Sequence, residues 1–220
     1  MNSLTGVHRA LLAFRGVCAV LLFCTLQTLV GQAASAQTVA KHTWGFVTTR
    51  IDSHFSHYVY TGYGYDAAFI IGALVANPRT GYSEQILGLG ARLPVLRNLN
   101  QLAVIAFCNA SDARYAQIYY LPSRTFGRVS ASATFEAYLP LESAGVRQFG
   151  ITSLPITTRV RGPLAAGVVY ELSAAERTVT SQGAGIALRL GLPSAELGVD
   201  ALHGLVALHD HVRLSFRAFY

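Results

Sequence analysis

The sequence predicts an all-β protein, a closed antiparallel up-and-down transmembrane β-barrel of about twelve strands, with eight or ten as alternative counts. Three observations predict it. Apolar residues recur at every second position in segment after segment, and helical periodicity is almost absent. Hydrophobic residues make up 52% of the chain and charged ones 13%, where a water-soluble domain carries about 25% charge. The face opposite the large apolar residues holds glycine, alanine, serine, threonine and isolated arginines. A β-sandwich would instead show solvent a face rich in lysine, glutamate and threonine.

The first 36 residues read as a cleavable export signal. Arg9 and Arg15 form a positive region, "GVCAVLLFCTLQTLVG" is the apolar core, and "AASA" offers small residues for cleavage after Ala36. Residues 37–220 are then the barrel domain, and losing the two signal arginines lowers the formal charge from +6 to +4. Cys18 and Cys24 leave with the signal, so Cys108 has no partner for an intramolecular disulfide. No later stretch is long and apolar enough to span a bilayer as a helix.

The expected strands are Lys41–Arg50, Phe55–Gly62, Asp66–Asn77, Ser83–Leu93, Asn100–Cys108, Arg114–Leu121, Gly127–Leu139, Arg147–Val160, Pro163–Leu172, Ser181–Leu192, Glu196–Leu205 and His211–Tyr220. In the fourth, Leu87, Leu89, Ala91 and Leu93 form the apolar set. In the seventh, Val129, Ala131, Ala133, Phe135, Ala137 and Leu139 oppose Arg128, Ser130, Ser132, Thr134, Glu136 and Tyr138. In the eighth, Pro155 signals a bulge or an end. The tenth sets Ala184, Ile186, Leu188 and Leu190 against Gly185, Ala187, Arg189 and Gly191. The twelfth sets Val212, Leu214, Phe216, Ala218 and Tyr220 against Arg213, Ser215, Arg217 and Phe219.

The connections alternate as well. Pro94, Pro122, Pro163 and Pro193 all fall in even-to-odd connections, while the odd-to-even ones, such as "NASDA" and "ESAGV", are polar loops, with only Pro78 and the flank of Pro140 breaking the pattern. The two ends of the barrel therefore face different surroundings. Tyr58, Tyr60, Tyr63, Tyr65, Tyr119, Tyr120 and Tyr220 are expected near the even-to-odd end, and Tyr138 and Tyr170 near the other, as two aromatic girdles.

An export signal, an even set of alternating strands and a final "VRLSFRAFY" together resemble the bacterial outer-membrane β-barrel proteins. The ending is similar to the C-terminal signal read by the barrel-assembly machinery, with Leu214, Phe216 and Tyr220 in phase. The resemblance implies an outer-membrane location, a lipid-facing apolar surface and the assembly machinery as a partner. It points to no single functional family.

Physical chemistry agrees with that class. In lipid every backbone polar group must be paired within the protein, which leaves helices and closed barrels. A lumen of intermediate width follows from the strand count. Its expected lining is Glu84, Arg92, Arg128, Glu136, Glu171, Arg189, Arg213 and Arg217. Glu84 with Arg92, and Arg128 with Glu136, share a face of their own strands and are expected to pair in a low-dielectric interior. A narrow, weakly anion-preferring pore for small solutes is the leading reading. A closed structural barrel is the first alternative.

The second alternative is an enzyme of the lipid-hydrolase kind. His54, His57, His209, Asp210 and His211 fall in the first and last outer connections, which barrel closure makes neighbours. Imidazoles with a carboxylate suit metal binding or general-base chemistry, although no fixed-spacing motif backs them. Ser53 and Ser56 are the nearby hydroxyls. No cofactor motif is present: "GLGARL" and "GYGYD" do not sit between a strand and a helix. Scattered single arginines make a weak case for nucleic acid, which wants a basic stripe on one face, and no nucleic-acid partner is expected. The expected partners are membrane lipid and the assembly machinery, and the oligomeric state is left open.

Overall fold

The computed structural model describes residues 42–93, 99–207 and 209–220. The expected signal and the turn at Pro94 lie outside the described residues. Strands β1 (Thr43–Asp52), β2 (His57–Tyr65), β3 (Ala68–Asn77), β4 (Tyr82–Arg92), β5 (Asn100–Ala110) and β6 (Arg114–Phe126) form the first half. The second half comprises β7 (Val129–Ser132), β8 (Thr134–Pro140), β9 (Gln148–Arg161), β10 (Leu164–Ala175), β11 (Thr178–Leu192), β12 (Ala195–Val206) and β13 (His211–Phe219).

β7 and β8 are halves of one strand, since one register against β6 runs through both, from Ser132 opposite Ser123 to Phe135 opposite Tyr120. The ladder lapses where Ala133 meets Pro122. Ala133 donates its N–H to the Pro122 carbonyl at 2.9 Å, and proline has no N–H to return. The architecture is therefore a closed antiparallel barrel of twelve strands, each beside its chain neighbours. Closure runs from Phe46 opposite Phe219 to Asp52 opposite Arg213.

The expected strands are all present. The largest difference is at β6, which continues past Leu121 through Pro122 to Phe126. The turn that "LPSRTF" suggested lies further on, at Gly127 and Arg128, where Gly127 takes a φ of 59° that an L side chain resists. Pro155 is neither an end nor a bulge but pairs within β9, opposite Val169. The bulge sits nearby at Thr152, where the register of β9 slips by one residue against both β8 and β10. Such an extra residue re-aims its side chain, and here Thr152 turns to the interior.

The outward face is the apolar set read from the sequence. Leu87, Leu89 and Ile105 are about 70% exposed, an arrangement that water penalises at roughly 1.5–3 kcal/mol per side chain and lipid does not. The girdles form only in part. Tyr63, Tyr65 and Tyr220 are exposed, but Tyr58, Tyr60 and Tyr138 line an inner cavity and Tyr119 is buried. Tyr58 also lies at the start of β2, the end opposite to the expected one. In-phase counting from Arg50 and Glu136 places these phenols on the inner face.

The interior is not uniformly polar. Phe69, Ile71, Val75, Ile86, Val104 and Cys108, with Tyr115 and Tyr119, form one buried cluster along β3–β6. In β3 the reason is plain, because its "AFIIGALVAN" is apolar on both faces and carries no period-2 contrast. Close packing also explains two glycines. A Cβ on Gly62 would meet the Phe46 ring at 2.4 Å, and one on Gly90 would meet the Phe69 ring at 2.1 Å. Large rings thus lie across bare backbone on the neighbouring strand.

Candidate functional site: the lumen and its outer cavity

The opposite wall, β10–β13, carries an ion network. Asp200 and Arg213 face each other across β12 and β13. Arg213 donates from Nη2 to Asp200 Oδ2 at 3.0 Å and from Nη1 to Glu171 Oε2 at 2.7 Å. Arg189 Nη1 stands 2.6 Å from Asp200 Oδ1, and His211 Nε2 stands 3.6 Å from Glu171 Oε1. Glycine makes the reach possible. Glu171 on β10 lies opposite Gly183 on β11, so no side chain blocks the span from Arg213. A Cβ on Gly198 would sit 3.2 Å from Arg189 Nη1.

Across the lumen, β1–β4 and β8–β9 enclose a cavity of about 250 Å³. Ser56 and Thr80 from the outer connections, with Asn77 at the end of β3, line its mouth, so it opens toward the outer rim. Deeper, Glu84 accepts a hydrogen bond from the Tyr82 hydroxyl. Glu136 accepts one from Thr152 Oγ1 at 3.0 Å and one from the Tyr138 hydroxyl at 3.3 Å. The Arg50 guanidinium lies over the Tyr58 ring, 3.9 Å from its centre, and its buried Nε has no hydrogen-bond partner.

Of the expected lining, Glu84 and Glu136 face this cavity, and Glu171, Arg189 and Arg213 form the opposite network. Arg217 is exposed nearer the inner end, with Nε donating to Thr48 Oγ1 at 3.3 Å. Arg92 ends β4, exposed, 5.1 Å from the centre of the Trp44 ring. Arg128 sits in the exposed β6–β7 turn rather than in the wall. The expected pairs within single strands, Glu84 with Arg92 and Arg128 with Glu136, are replaced by partners on other strands and by hydroxyls. Residues four or more apart on one extended strand are too distant to pair well.

Asp200, Arg50 and Thr152 are the site residues that sequence reading missed. Asp200 was legible, since "ELGVDAL" puts Glu196, Gly198 and Asp200 in one phase. Arg50 shares phase with Trp44, Phe46 and Thr48. Thr152 was not legible, because a bulge breaks the phase by which its direction would be read.

At the rim, closure does bring the histidine connections together, but only in part. The His54 ring is 5.6 Å from His211 and 6.2 Å from His209, centre to centre. His57, paired with the outward Ile51, points away from the lumen. Asp210 takes the Gly204 N–H at 3.1 Å and stands 2.8 Å from His203 Nδ1. Those contacts, the Gly204 N–H foremost, hold its carboxyl below the usual aspartate range. Among the described residues, no three His, Cys, Asp or Glu side chains are arranged to hold a metal ion, so the five expected ligands do not form one set. Ser53 Oγ accepts from the Val212 N–H at 3.1 Å and Ser56 Oγ from Asn77 Nδ2 at 3.0 Å; both hydroxyls tie the β1–β2 connection to its neighbours.

A closed wall, apolar outside and partly ionic inside, defines the chain as a β-barrel of the membrane-spanning kind. No family model matches the chain, and no curated protein matches it in sequence. Among solved structures it is similar to the KdgM porin, with a TM-score of 0.56 and 7% identity over 80% of this chain and 98% of that one. It is similar also to the NanC porin, at 0.55 and 7% over 80% and 99%. A structure of the KdgM porin in complex with disordered oligogalacturonate gives 0.54 and 6% over 80% and 98%. At such identities the likeness is one of fold.

Proposed function

We propose that the protein is an outer-membrane channel for small solutes, inserted by the barrel-assembly machinery after cleavage behind Ala36. The observation that carries this reading is the cavity open to the outer rim and lined by Arg50, Glu84 and Glu136, set within a wall of twelve strands. Such a wall is wider than the eight-stranded kind that side chains fill. The porin-like fold supports the same reading.

Reconstitution of the refolded barrel in planar bilayers tests it. Discrete current steps are expected, small beside those of a sixteen-stranded porin because the ion network and the apolar cluster occupy much of the lumen. Silence under voltage, from protein that is shown to be folded, would favour the closed structural barrel.

A further inference from the structure

We infer that the cavity between Glu84 and Glu136 is the solute-binding station of the channel, and that it receives small organic cations. This rests on the channel reading and names the class of solute. It also reverses the anion preference that scattered arginines suggest.

The argument begins with charge. Arg189 and Arg213 are matched by Asp200 and Glu171 in the opposite wall. They offer a passing anion little that is not already engaged. In the cavity the balance differs. Glu84 is 7% exposed and Glu136 9%, and both carboxylates are held by hydroxyl donors rather than by a cation. Arg50 lies on the Tyr58 ring, and among the described residues it forms no ion pair with either glutamate. Two carboxylates therefore face a single guanidinium. A hydroxyl donor fixes a carboxyl group's orientation without bringing a positive charge, so an entering cation meets acceptor oxygens that no ion pair has taken.

The second part is the ring lining. Tyr58, Tyr60, Tyr82 and Tyr138 present phenols to the same space. An ammonium or guanidinium gains about 0.5–2 kcal/mol from an aromatic face, more when desolvated. Arg50 over Tyr58 demonstrates that geometry within the wall. The space of about 250 Å³ equals the share of roughly eight waters in the liquid, enough for a short aliphatic amine with part of its hydration shell.

The test uses four-carbon probes that differ in charge: 1,4-diaminobutane, 1,4-butanediol and succinate. Added on the outer side of reconstituted channels, diaminobutane is expected to block current at a concentration at least tenfold below the other two. The Glu84→Gln/Glu136→Gln double variant is expected to lose that difference. Reversal potentials across a KCl gradient are expected to report cation preference in the natural protein and a weaker one in the variant. If the double variant does not fold, each single variant is measured instead. Anion preference in the natural protein, or equal block before and after substitution, overturns the station while leaving the channel standing. Should no current appear at all, the channel reading falls. The station is then decided by titrating diaminobutane against the tyrosine fluorescence of the detergent-folded protein, where equal responses from the natural and double-variant chains overturn it.

Discussion

Asp200 holds the network on β10–β13 together, because both of its oxygens face arginines. Removing its charge leaves Arg189 and Arg213 under-compensated in a buried place. Breaking a buried pair from one side costs about 3–5 kcal/mol. Asp200→Asn keeps the shape and one acceptor oxygen, so a loss of about 3 kcal/mol is expected in equilibrium unfolding from detergent. A loss below about 1 kcal/mol would mean that the pair behaves like an exposed one. Arg189 was legible in the sequence from its phase alone. Asp200 was legible in the same way, but not that the two meet, because the register of β11 against β12 decides which carboxylate Arg189 reaches.

For a whole strand, β13 shows how much alternation can foretell. Val212, Leu214 and Phe216 are exposed outward, while His211 and Arg213 are buried inward. One slip of register would exchange the two sets. Beyond the strand, Tyr220 continues the pairing, with its N–H to the Gly45 carbonyl at 3.1 Å and its carbonyl accepting from the Gly45 N–H at 2.8 Å. Its ring covers the place a Gly45 Cβ would take. Tyr220→Ala should therefore weaken the seam between β1 and β13, and with it assembly in cells. The expected readout is a several-fold drop in folded barrel in the membrane fraction. Unchanged yield would count against an assembly role for Tyr220. The contrary case is β3, whose inward and outward faces are both apolar. Its existence was legible, but not which way its side chains point.

On the scale of the whole molecule, closure and strand number were legible because each strand must satisfy its edges on neighbours when no water is available. The content of the lumen was not, since that depends on which inward residues meet across a curved wall. The membrane reading makes a direct prediction. Folded in detergent, the protein should migrate differently on a gel when unboiled and when boiled, and it should fail to fold in plain buffer. Ready folding without detergent would contradict a lipid-facing surface on which Leu87, Leu89 and Ile105 stand about 70% exposed.

The apolar cluster along β3–β6 faces a lumen whose other side is ionic. Water wets the second side and has little to bond on the first. If the barrel conducts as proposed, its wetted cross-section is lopsided rather than a disc, following the ionic wall of β10–β13 and the polar side chains of the outer cavity on β1, β2, β4, β8 and β9. On that reading circumference alone does not set throughput: two barrels of equal strand number differ by how many inward side chains can hold a water molecule.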